Sequence, residues 1–182
     1  MTPPKNGQWI PGPGEELIEA IHAAAGGCRI IAEDLGTLTP QVRRVLAGTG
    51  FPGMKVLEFA FDSGPGNEHL PCHYDKNLIA YAGTHDNDTL KGFFYSKKPK
   101  ELTFAMRYLD AKKPKELPAK AIRALFMSSA NTVILQAQDL LGLGSEGRIN
   151  TPSTLGGNWM WRLLPGMLTR KTPKKLKRLT KT

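Results

Sequence analysis

Apolar residues along the chain fall into two kinds of pattern. One is helical: Leu17, Ile18 and Ile21 recur on one face between Glu15 and Ala25, and the glycines at 26 and 27 stop the run. Thr39 followed by Pro40 is a cap and first-position pair for a second helix through "QVRRVLAG" to Gly48. Further helical stretches run from about Asp88 to Asp110, with a break at Pro99, and from Pro118 to Ala130. The other pattern is near-continuous: "CRIIAEDL" (28–35), "MKVLEFAF" (54–61), "LIAYAGT" (78–84) and "TVILQAQDL" (132–140) read as buried strands. Such strands alternating with helices predict an α/β fold whose parallel sheet is covered on both faces.

Polar residues gather where those strands finish. Glu33 and Asp34 end the first, Asp62 the second, His85 and Asp86 the third, Gln138 and Asp139 the fourth. In barrels of alternating strands and helices the C-terminal rim carries the catalytic groups. A single such acid also suits a helix cap or a turn, so the signal lies in four strands doing the same thing. Paired carboxylates across a cleft suit glycosidic chemistry. One protonates the leaving oxygen while another attacks or stabilises an oxocarbenium-like centre.

Five separated motifs, "IIAEDLGTLTPQVRRVL", "PGMKVLEFAFD", "YAGTHDNDT", "QDLLGLGSEGRINTPST" and "GNWMWRL", carry a resemblance. In this order, from about Gly7 to Leu164, the chain resembles the C-terminal part of the 4-α-glucanotransferases of glycoside hydrolase family 77, the amylomaltases and disproportionating enzymes. The resemblance implies the C-terminal half of a (β/α)8 TIM barrel across residues 1–182, with about four parallel strands and a basic tail at about 170–182. It implies that Glu33 is the general acid/base and Asp86 the transition-state stabiliser. Asp34 is then a sugar-binding carboxylate, His85 binds the same glucose as Asp86, and Asn150 and Asp62 are further substrate contacts. Asn150 and Asp62 suit turn stabilisation equally, and His85 alone would suit a structural role. Trp9, Trp159 and Trp161 have faces that suit pyranose rings, although the alternation with Met160 favours packing for the last two. Ala82, where the family often has threonine, and "PCHY" are departures that touch no residue given a chemical role.

The implied reaction is retaining transfer of an α-1,4-glucan segment to the 4-hydroxyl of an acceptor, with no metal or organic cofactor. The family's nucleophilic aspartate lies in a motif of the type Arg-x-Asp-His-Phe-Arg, which is absent from these residues. The expectation is therefore a C-terminal portion that partners a missing N-terminal half and is inactive alone. An inactive glucan-binding remnant, one part of a split enzyme, and an α-amylase-type hydrolase are the alternatives.

Composition changes this picture little. The chain has 182 residues, 40% of them hydrophobic, as in a globular domain. The net charge of +9 raises a nucleic-acid reading, but the basic residues are segregated. Ten lie between Lys91 and Arg123 against three acids, and seven lie in the tail from Arg170 without one acid. A solvated helical face and a solubilising tail account for them, and no aromatic interleaves the tail's lysines, so nucleic acid ranks last. No apolar run is long enough for a membrane span, and the first residues lack a leader's apolar stretch. Cys28 and Cys72 share no metal-like spacing and read as buried or incidental thiols in a reducing, cytoplasmic setting.

Overall fold

The structure is a computed structural model that describes residues 10–36 and 38–181, so Trp9 lies outside the described residues. The chain divides after Pro52 into two compact units.

The first unit holds α1 (Glu15–Ala25) and α2 (Pro40–Thr49). Both match the sequence expectation, and Thr39 caps α2 by accepting the Val42 N–H at 3.3 Å. Each helix ends at a glycine with positive φ, Gly26 at 57° and Gly50 at 68°, where a side chain would strain the turn. The strand expected at 28–35 is not formed, and the segment is irregular. The Ala32 N–H reaches the Pro52 carbonyl at 2.9 Å, but one such bond makes no ladder. An apolar run becomes a strand only when a neighbour pairs with it.

The second unit is built on a three-stranded parallel sheet in the order β1 (Gly53–Val56), β2 (Leu78–Tyr81), β3 (Thr132–Ile134). Gly53 pairs with Leu78 and Val56 with Tyr81; Ile79 pairs with Thr132 and Tyr81 with Ile134. The central strand contributes Leu78, Ile79 and Ala80 to the core. The strands are shorter than the apolar runs suggest. After β1 the chain tightens into a single 3-10 turn, Leu57–Phe59. After β3 it turns into the short helix α6 (Ala137–Leu141), so Gln138 and Asp139 are buried on a helix and do not end a strand. The reason is the partner's length. β2 stops at Tyr81, and nothing remains for residues beyond Ile134 to pair with except the Ala82 N–H, 3.4 Å from the Ile134 carbonyl.

Helices α3 (Leu90–Ser96), α4 (Pro99–Tyr108) and α5 (Leu117–Phe126) lie between β2 and β3 in the chain. Pro99 separates α3 from α4 as expected, while α5 stops four residues before Ala130. On α5, Leu117, Ala121, Ile122 and Leu125 form one buried stripe at helical spacing. They join a core in which Phe61 is the hub. Its ring lies 5.6 Å from Phe94, 6.2 Å from Phe104 and Tyr108, and 6.4 Å from Phe93. The basic tail contains a helix, α7 (Lys171–Leu179), whose Leu179 packs against this core and whose Lys175 Nζ donates to the Leu140 carbonyl at 3.2 Å. Among the described residues no helix is long and apolar enough to cross a membrane. Phe61→Ala should remove the hub of the aromatic cluster and destabilise the second unit by about 3–5 kcal/mol, measured by urea unfolding against wild type.

Candidate active site

Where β2 ends, the chain is held on both sides. The Glu58 N–H donates to the Ala82 carbonyl at 3.2 Å, and Ala82 in turn donates to Ile134. Gly83 follows because Glu58 presses on it: a Cβ there would lie 2.8 Å from Glu58 Oε1. The next residues form a tight polar turn. Asn87 Oδ1 accepts both the N–H and the hydroxyl of Thr84 at 2.9 Å, and Gln136 Nε2 donates to the Thr84 carbonyl at 3.1 Å. The Asp86 N–H donates to Thr84 Oγ1 at 3.3 Å. This turn presents His85 and Asp86 outward, with side chains 54% and 50% exposed.

Asp86 is the focus of the arrangement. Its Oδ1 accepts from Asn150 Nδ2 at 2.5 Å and lies 3.4 Å from His85 Nε2. No hydrogen bond to its Oδ2 is formed among the described residues, and the side chain as a whole is half exposed. Arg148 holds the same residue by its backbone, donating from Nη2 to the Asp86 carbonyl and from Nε to the Asn150 carbonyl, both at 2.8 Å. The Trp159 N–H donates to the Ile149 carbonyl at 2.7 Å, and the Trp159 ring lies 5.1 Å from that of His85. Trp159, for which packing was the expectation, therefore covers the histidine while 55% of it stays exposed. An aromatic face, an imidazole and a half-exposed carboxylate together form a surface suited to a polyhydroxylated ring.

The structure brings together three of the six expected site residues: His85, Asp86 and Asn150. Asn150 reaches a side chain 64 positions away instead of stabilising its own turn. Asp62 accepts from Asn67 Nδ2 at 3.1 Å, and the same amide donates to the Phe59 carbonyl at 2.7 Å, which is a turn-stabilising arrangement. Glu33 and Asp34 belong to the first unit, where Glu33 is exposed and Asp34 half-buried. Cys28 and Cys72 are exposed and free.

Sequence reasoning missed Arg148, Gln136 and the buried acid Glu58. Glu58 is 5% exposed, and its Oε1 has no hydrogen-bond partner among the described residues. Burial first, then the charges of Asp139 and Asp88, push its carboxyl up to about 9, against the opposing pull of Arg148 and Lys97. Asp139 is pushed up to about 6, again by burial first, although its Oδ1 accepts the Leu90 N–H at 2.7 Å. The available signal was a glutamate inside the otherwise apolar run "VLEFAF".

The 4-alpha-glucanotransferase family model matches residues 1–169. The chain belongs to the 4-alpha-glucanotransferase family. It is 45% identical over 157 residues to the chloroplastic/amyloplastic 4-alpha-glucanotransferase of Arabidopsis thaliana, covering 86% of this chain and 27% of that protein. It is 44% identical over 180 residues to the Clostridium butyricum 4-alpha-glucanotransferase, covering 97% and 37%. Among solved structures it is similar to an amylomaltase from Streptococcus agalactiae in complex with acarbose. There the TM-score is 0.87 at 40% identity, over 96% of this chain and 35% of that one. An amylomaltase from Corynebacterium glutamicum, at 21% identity and a TM-score of 0.59, shares the fold. The chain thus spans about a third of the length of these glucanotransferases.

The raised Glu58 carboxyl has a consequence for stability. The native state keeps a proton that the unfolded chain releases near the ordinary value of 4.5. Its contribution to stability is therefore full below about pH 4.5 and is lost as pH rises toward about 9. Glu58→Gln, which cannot ionise, should flatten this decline. Melting temperatures from pH 5 to pH 9 should fall more steeply for wild type than for the variant.

Proposed function

We propose that this chain supplies the acid/base side of a retaining 4-α-glucanotransferase site, as the C-terminal half of a (β/α)8 barrel. The observation that carries the reading is Asp86. In a chain of this family it leaves the central parallel strand at its C-terminal end, with Oδ1 held by Asn150 and the side chain half exposed. That is the end of a barrel strand where catalytic groups belong.

Asp86 stabilises the oxocarbenium-like transition state with a carboxylate whose geometry is fixed before substrate arrives, so little reorganisation is needed at the moment of reaction. His85 binds the same glucose as Asp86, Asn150 is a further substrate contact, Asp34 holds a neighbouring sugar, and Asp62 supports the cleft through its turn. Glu33 protonates the leaving glucosyl oxygen and then deprotonates the 4-hydroxyl of the acceptor glucan, which takes the place of water. The aspartate nucleophile, which attacks the anomeric carbon, comes from outside these 182 residues, because no Arg-x-Asp-His-Phe-Arg motif occurs among them. Substrates are α-1,4-glucans, a reading supported by the acarbose bound to the Streptococcus agalactiae amylomaltase. The Arabidopsis relative is named as chloroplastic/amyloplastic, and the cytoplasm is the setting proposed for this chain.

Purified chain incubated alone with maltotriose should release no glucose and form no longer dextrins. Adding a polypeptide that carries the nucleophile strand should restore both. Robust transfer by the chain alone would place the nucleophile within it.

In the completed enzyme, Glu33→Gln should abolish transfer, and Asp86→Asn should lower kcat by about a thousandfold or more, equivalent to about 4 kcal/mol of transition-state stabilisation. Circular dichroism should show both variants folded. A Glu33→Gln enzyme that kept most of its rate would remove the acid/base assignment.

A further inference from the structure

We infer that Arg148 is a positioning residue for transfer, fixing Asp86 by tying its peptide to the segment that carries Asn150. The inference rests on the reading of Asp86 given above.

Asp86 and Asn150 come from loops far apart in sequence, and their side-chain bond survives only if both backbones hold still. Arg148 is the group that links those backbones. Its guanidinium donates to the carbonyl of each, using two N–H groups of one rigid plane. The anchor beneath it is firm. Gly147 is buried, its carbonyl accepts Gln138 Nε2 at 3.0 Å, and a Cβ on it would meet Leu143 Cβ at 3.1 Å. The residue just before Arg148 is thereby pinned to α6, and Arg148 carries that rigidity out to the half-exposed turn at Asp86. On the other side, the Thr84 carbonyl is already held by Gln136. The turn is clamped at Thr84 from β3's exit and at Asp86 from the 147–150 segment.

The bonds go to carbonyl oxygens, so the guanidinium leaves both Asp86 carboxylate oxygens to Asn150, His85 and the ligand. Its charge also works on the buried acid Glu58. Arg148 opposes the upward push on Glu58, with Lys97 the other cation that does so. Loss of the guanidinium therefore frees the turn and removes a positive charge that acts on Glu58.

The test reads the Asn150 side-chain amide by nitrogen-15 NMR in the full chain, with Asn150→Asp identifying the resonance. In wild type the Nδ2 proton bound to Asp86 should resonate apart from solvent-exposed amides. In Arg148→Met that resonance should move to the exposed position while the melting temperature stays near wild type. Arg148→Lys keeps the charge but not the two-pronged plane, and should fall between. In the enzyme completed by its nucleophile-bearing partner, Arg148→Met should lower kcat about a hundredfold, the scale of an ångström-sized misplacement, with KM little changed.

An Arg148→Met protein with a wild-type Asn150 resonance and wild-type kcat would overturn the inference. So would a raised KM with unchanged kcat, which would make Arg148 a substrate contact. If Arg148→Met fails to fold, Arg148→Lys carries the same two readings. Asp86→Asn serves as the control: full activity there would remove the reading of Asp86, whereas loss there with none in the Arg148 variants would remove only the role of Arg148.

Discussion

Strand β2 is hydrogen-bonded along both edges, and its first three residues are buried, so its backbone finds its partners only in β1 and β3. The pairing also fixes where the chain emerges. Ala82 continues the bonding by one residue on each side, and Gly83 lies against the buried Glu58 carboxyl. Only then does the chain reach the Thr84–Asn87 turn. The direction in which Asp86 points follows from that sequence of constraints. The aromatic hub at Phe61 and the stripe on α5 support the sheet from the helical side.

Charge contributes unequally across the second unit. Exposed pairs such as Lys112 with Asp110 are screened by solvent and decide little about the fold. The buried acids matter more. Among the described residues Glu58 and Asp139 each keep one oxygen without a hydrogen-bond partner in a region where an unpaired charge is costly, and both keep their protons to higher pH than ordinary carboxylates do. Glu58 reaches the start of the Thr84–Asn87 turn at Gly83, where a Cβ would lie 2.8 Å from its Oε1.

Helix ends were legible because their signals are local. The Thr39–Pro40 pair, the glycines after Ala25 and the break at Pro99 each appear where the sequence places them. Strand lengths were not, because pairing depends on a partner far away. The run at 28–35 holds Ile30, Ile31 and Ala32 in succession yet makes no strand, and β3 stops at Ile134 although Leu135 follows. His85, Asp86 and Asn150, which the structure brings together, were readable through family motifs. Arg148, the residue between the motif's buried glycine and Ile149, was not, because arginine in a polar loop usually means solvent. Its two bonds to distant carbonyls are visible only in three dimensions.

The segment from Gly147 to Trp159 gives the site a collective character. Arg148 reaches Asp86, Asn150 reaches the same residue, and Trp159, bonded to Ile149, covers His85. All three depend on one stretch of chain that holds no regular helix or strand beyond a single 3-10 turn, Ser145–Gly147. If that stretch lifts, the site loses its clamp, its carboxylate partner and its aromatic cover in one event. Local openings of this kind lie far below the free energy of global unfolding, so amide exchange in residues 148–159 should be faster than in β2 and should track the fraction of molecules with a disassembled site. The cooperativity of the site is thus the stability of a loop, a quantity that any ligand spanning Asp86 and Trp159 would raise.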